Sequence, residues 1–119
     1  LQKYEAIEKL RPKLADLAVS GMMRNALNDS FWAVRQAAAE ALRRYKGPEG
    51  NAVRMELQRV ATADKKSQVR AAALASLSSF QNEDFGSVYT VALADSSNLV
   101  VSAAINALAK APQSNREHK

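Results

Sequence analysis

The stretch Asp29–Leu42, DSFWAVRQAAAEAL, returns in looser form as Asp64–Leu77, DKKSQVRAAALASL, and as Asp95–Leu108, DSSNLVVSAAINAL. Laid over one another, the three copies keep their columns without an internal insertion. Asp29, Asp64 and Asp95 open them; Val34, Val69 and Val100 follow; Ala38, Ala73 and Ala104 come next; Leu42, Leu77 and Leu108 close them. The copies are offset by 35 and then 31 residues. Fixed columns at that period belong to stacked-repeat architectures, in which no unit can bury its apolar face alone.

Each copy reads as a turn followed by a helix. Val34, Ala38, Ala41 and Leu42 fall at i, i+4, i+7 and i+8, one stripe of a 3.6-residue helix, and the other copies repeat the pattern. The small residue in mid-stripe lets a neighbouring helix approach closely, with valine and leucine filling volume at either end. In the turns, Ser30, Ser67 or Ser97 is expected to cap the following helix, and the aspartates suit its positive end. Arg35 and Arg70 stand six residues beyond their aspartates, where a guanidinium fork suits bridging from one repeat to the next. Val101 takes that place in the last copy, so a ladder of Asp29, Arg35, Asp64, Arg70 and Asp95 is expected to stop there.

The pattern Asp-x4-Val-Arg-x2-Ala-x2-Ala-Leu resembles the HEAT family of helix-turn-helix repeats over about residues 19–111. That resemblance implies an all-α, right-handed α–α superhelix of helical hairpins and a role in protein–protein interaction. Residues 28–42, with SFWAVR after the aspartate, also resemble the C-terminal HEAT-like region of bacterial zinc aminopeptidases of the aminopeptidase N family. This second resemblance implies a non-catalytic scaffold domain packed on a catalytic domain. A free-standing protein-binding adaptor and a nucleic-acid-binding module are the alternatives.

The chain has 119 residues, enough for one domain, and 47% of them are hydrophobic. Few of these are aromatic and many are alanine, which favours helix over sheet. The expected division is an N-terminal helical segment over 1–18, repeats over about 19–46, 47–80 and 81–111, and a disordered polar tail over 112–119. In the first segment Ile7, Leu10, Leu14 and Leu17 keep helical spacing, with a kink or break near Arg11 because of Pro12. Residues 6–10 also read as the tail of an earlier repeat. Gly47 is expected to take a left-handed cap conformation, and Pro48 to begin a helix running to Ala63 with Val53, Leu57, Val60 and Ala61 buried. Asn82 is read as the N-cap of a helix over 83–94 that buries Phe85, Val88, Val91 and Ala92. The last helix, about 98–111, is apolar around most of its circumference.

Chemistry is sparse. There is no cysteine, and the single histidine, His118, lies in the tail, so neither a histidine-containing triad nor a His-Glu-x-x-His zinc site can be assembled. Glu83 and Asp84 are read as helix-start charges. No catalytic residue, metal ligand or cofactor is therefore assigned. No apolar run is long enough to span a bilayer and Leu1 opens no signal pattern, so the chain reads as soluble, with the compartment left open; a start at Leu reads as a processed or excised piece.

Net charge is +5, but it is uneven: residues 1–70 carry 14 basic and 8 acidic side chains, residues 71–119 carry 3 and 4. A DNA-binding stripe would stay basic along the stacked helices, whereas Gln36 becomes Ala71 and Ser102, and Glu40 becomes Ala75 and Asn106. Nucleic acid is accordingly not the expected partner. Candidate interface residues are Trp32, Arg43, Arg44, Leu99, Val101 and Ile105. Stacked repeats end in polar caps, yet Lys110 is the only charged residue between Leu99 and Ala111. The last helix is therefore expected to need cover from a second chain, as in a homo-oligomer, or from a neighbouring domain; the polar tail suits that role poorly.

Overall fold

A computed structural model describes residues 2–13, 16–43, 45–80 and 85–110. Among these the chain is all-helical: α1 (Gln2–Leu10), α2 (Leu17–Ala26), α3 (Trp32–Ala41), α4 (Gly50–Ala63), α5 (Ser67–Leu77), α6 (Gly86–Ala92) and α7 (Asn98–Ala109), with a 3-10 turn at Arg11–Lys13. Consecutive helices form three hairpins, α2–α3, α4–α5 and α6–α7. The second helices stack in one layer, α3 on α5 and α5 on α7, while α4 meets α6 in the other. This is an α–α superhelix of helical hairpins. Helix α1 packs on α3 and so extends the second-helix layer by one member.

The repeat motif explains the stacking. Val34, Ala38, Leu42, Val69, Ala73, Leu77, Val100 and Ala104 are all buried. Alanines Ala37, Ala39 and Ala72 broaden the stripes of α3 and α5, so α5 is buried on both sides, as a middle layer must be. Within that contact the Ser76 hydroxyl donates to the Ala39 carbonyl of α3, so this buried polar group keeps a partner. Each fully buried valine or leucine contributes about 1.5–3 kcal/mol by leaving water.

The N-terminal segment breaks near Arg11, as expected: α1 ends at Leu10. Helicity changes at Arg11, and α2 starts at Leu17 because the Asp16 carboxylate accepts the Ala18 and Val19 N–H groups at 2.8 and 3.4 Å. Leu17 then sits in the first turn of α2 and is exposed, while Ile7 is fully buried in α1 and Leu10 packs partly buried against the same core; Leu14 lies outside the described residues.

The serines do not cap α3, α5 or α7. The turn aspartates instead close the turns ahead of these helices: Oδ1 of Asp29, Asp64 and Asp95 accepts the N–H two residues on, from Phe31, Lys66 and Ser97, at 2.9, 2.9 and 2.8 Å. Helix α4 begins at Gly50, not Pro48. At Gly47 the backbone is not left-handed; glycine is needed because an added Cβ would overlap the Tyr45 ring, which is buried and whose hydroxyl accepts the Glu49 N–H at 3.2 Å. The buried face of α6 is Phe85, Tyr89 and Ala92, and Val91 faces outward. The Asn82 cap and the Glu83–Asp84 pair lie outside the described residues, as does the tail.

Candidate interaction surface

The turns before α3, α5 and α7 lie along one edge of the stack, and there the aspartates and arginines meet. The Arg35 guanidinium donates from Nε and Nη2 to both carboxylate oxygens of Asp64, at 2.8 and 3.1 Å. Its Nη1 donates to the Asp29 carbonyl at 2.8 Å. Arg70 repeats this one hairpin later, reaching Asp95 at 2.9 and 3.0 Å and the Asp64 carbonyl at 2.7 Å. Each arginine thus grips the turn of its own hairpin and the carboxylate of the next, with the two-pronged geometry that makes such pairs strong. The geometry is the same although the two repeats differ in length. Hydrogen bonds from Arg70 and the Ser97 N–H hold the Asp95 carboxyl below its ordinary pKa.

One rung is not legible from the motif alone. Lys3 of α1 donates to Asp29 Oδ2 at 2.7 Å, and this bond, with the Phe31 N–H, lowers the Asp29 pKa. Lys3 therefore heads a column that continues as Arg35, Arg70 and Val101. Counted from that column, Ala6 joins Ala38, Ala73 and Ala104, and Leu10 joins Leu42, Leu77 and Leu108. The signal was present in the sequence, at an offset of 32 residues from α3, but the place of the valine holds Gln2 and the place of the opening aspartate falls before Leu1.

The first helices have their own brace. Arg24 on α2 donates to Glu49 at 2.8 Å and to Glu56 at 3.3 Å, and the Glu49 bond is the main cause of its raised pKa. Between α1, α2 and α3 lies a largely apolar groove of about 290 Å³, lined by Lys3, Ala6, Ile7, Met22, Ala26 and Val34. It opens beside α2 where α1 brings no hairpin partner among the described residues.

The candidate interface residues do not form one site. Trp32 is half-buried at the ladder edge, with Phe31 edge-on to it at 6.2 Å and the Lys66 ammonium 4.7 Å from its ring centre. Arg43 is exposed at the opposite end of α3, and Arg44 lies outside the described residues. Leu99 and Ile105 are exposed on the outward side of α7, with Val101 half-buried beside them. Among the described residues no cluster of three or more His, Cys, Asp or Glu is placed to hold a metal ion, and no helix is long and apolar enough to cross a membrane.

The repeat register gives the α7 residues their meaning. Ile105 stands in the column of Ile7, Ala39 and Leu74. All three of those are buried, Leu74 at 0% exposure, whereas Ile105 is 54% exposed. Val91 on α6 stands in register with Val60 on α4; Val60 is 1% exposed and Val91 66%. Two columns on two helices thus turn from core to surface at the same hairpin.

Comparison with known families matches residues 3–78 to HEAT repeats. The chain belongs to the HEAT-repeat family. The matched stretch begins inside α1 and ends just past α5, so it takes in the helix that continues the Lys3 column and leaves the α6–α7 hairpin beyond its edge. No curated protein and no solved structure matches the chain. A HEAT module is a helical-repeat scaffold for protein–protein contact, and HEAT domains are in general not enzymes.

Proposed function

We propose that this HEAT-repeat chain is a non-catalytic protein-interaction module whose docking surface is the outward face of the α6–α7 hairpin. One observation carries the reading: Val91 and Ile105 occupy positions whose counterparts one hairpin earlier, Val60 and Leu74, are core. A face built like an inter-repeat contact, and bearing no charged side chain from Asn98 to Ala109, is made to be covered. The ladder supports this from the side. It holds the hairpins in fixed register, so the terminal face is presented by a braced scaffold and not by a loop.

The other readings draw less from the geometry. The residues that resemble the aminopeptidase region are already engaged in repeat packing: Val34 is core, Arg35 is a rung, and Phe31 and Trp32 cover the ladder edge. A neighbouring stretch of the same polypeptide carrying His-Glu-x-x-His would bring that reading to the front. For nucleic acid, much of the basic charge is spent within the fold. Lys3, Arg24, Arg35, Arg59 and Arg70 bond to acidic or amide side chains, and Lys66 sits over Trp32. The exposed Arg43 and Lys65 lie at opposite ends of the second-helix layer.

The test uses a dye that brightens on exposed apolar surface, with the protein diluted until it is monomeric. The wild-type chain should bind the dye, and a Val91→Lys, Ile105→Lys double variant with unchanged helicity should lose most of that signal. No dye binding by the monomeric wild type would overturn the proposal.

A further inference from the structure

Resting on the reading of the α6–α7 face as a docking surface, we infer that its occupant is a second copy of this chain, seated face to face about a two-fold axis with α7 antiparallel to its counterpart. The face carries the column that α1, α3 and α5 each turn toward the next helix of the layer, and among the described residues no helix lies on it. What remains is which partner can fit.

A head-to-tail stack would lay the outward side of α1 against α7. That side of α1 carries the exposed Gln2, Glu5 and Lys9, in the columns that hold Val69, Ala72 and Ser76 on α5. Covering Ile105 with them would strip water from a carboxylate and an ammonium, a cost that α7, with no charged side chain from Asn98 to Ala109, does nothing to offset. The two ends of the stack are thus unlike: one polar, as a cap should be, and one apolar.

An apolar end meets its own kind without that cost. On α7 the exposed Leu99, Ser102 and Ile105 recur at three-residue spacing. Antiparallel pairing centred on Ser102 sets Leu99 of each copy over Ile105 of the other. The small serines at the crossing allow close approach, and the same operation brings Val91 of one α6 toward the other α6. Lys110, which caps the C-terminal end of α7, is then carried to opposite ends of the contact, so the like charges separate; a parallel pairing would bring them together. Val101 fits too. In the interior hairpins the cation at this place reaches for an aspartate of the next repeat, and a second copy placed this way has no such aspartate to offer.

The chain has no cysteine, so single substitutions report directly. Wild-type protein in sedimentation equilibrium should form a concentration-dependent dimer, and Ile105→Lys should weaken it at least tenfold. Under mild oxidation Ser102→Cys should convert almost wholly to a disulfide dimer. Mixing Ser102→Cys with Lys9→Cys should leave that homodimer dominant. A dominant mixed Lys9→Cys/Ser102→Cys species would overturn the two-fold arrangement. A wild-type chain that stays monomeric at high concentration yet binds the apolar-surface dye would overturn the second copy as occupant and leave the docking face standing. A monomer that binds no dye would remove both.

Discussion

Arg70 is the residue on which two hairpins turn. It joins α5 to the Asp95 turn through two hydrogen bonds and ties back to Asp64 through a third. Arg70→Ala should lower stability by about 1–2 kcal/mol in urea melts, the scale of a few partly exposed bonds to charged groups. Arg70→Lys should recover only part of this, since one ammonium cannot reach both carboxylate oxygens and the Asp64 carbonyl. Protonation acts on the same rung. The folded pKa of Asp95 lies below its ordinary value of about 3.9, so its contribution is fully present above that pH and is lost as pH falls through the lower folded value. The stability gap between wild type and Asp95→Asn should therefore hold constant from neutrality to about pH 4 and narrow below it. Denaturant melts across that range check it. At this scale the residue types and spacing pointed to the arginine and aspartate positions in the sequence. Lys3 was not visible, because the place of the marker valine in its copy holds Gln2 and that of the opening aspartate falls before Leu1.

At the scale of the helix, the stripe is what sequence patterning reads best, and its phase is what short helices obscure. In α4 four apolar positions repeat over 14 residues, and Val53, Leu57, Val60 and Ala61 are all buried. In α6 only seven residues are helical, and Val88 and Val91 compete with Tyr89 for the same face. Tyr89 fills the core next to Phe85, their rings edge to face at 6.4 Å, so Val91 turns outward. Glycine use was opaque for a related reason: Gly47 answers to the Tyr45 ring, a contact that spacing cannot show.

Two substitutions probe this level. Leu77→Ala, in the middle layer, should cost about 2–5 kcal/mol, and Leu108→Ala, partly exposed in α7, measurably less. Equal losses would contradict the stacking order. Gly47→Ala should destabilise by about 1–3 kcal/mol, because Tyr45 is too enclosed to swing aside; a gain in melting temperature would show that the loop gives way instead.

The whole molecule is a stack with unlike ends, polar at α1 and apolar at α6–α7. The repeat columns made the architecture legible in the sequence and hinted at the second end through the missing charge on α7. They could not show which α7 residues emerge, because burial in a repeat depends on the helix stacked upon it, and among the described residues none stacks on the outward side of α7. Leu74 and Ile105 share one register position in consecutive repeats, and they separate interior from end. The decisive comparison is urea unfolding of Leu74→Lys and Ile105→Lys in dilute, monomeric protein. Leu74→Lys should abolish the cooperative transition or shift its midpoint far down, while Ile105→Lys should unfold close to wild type. If Ile105→Lys collapses as Leu74→Lys does, α7 is interior to the folded monomer, and the stack does not end in an open face.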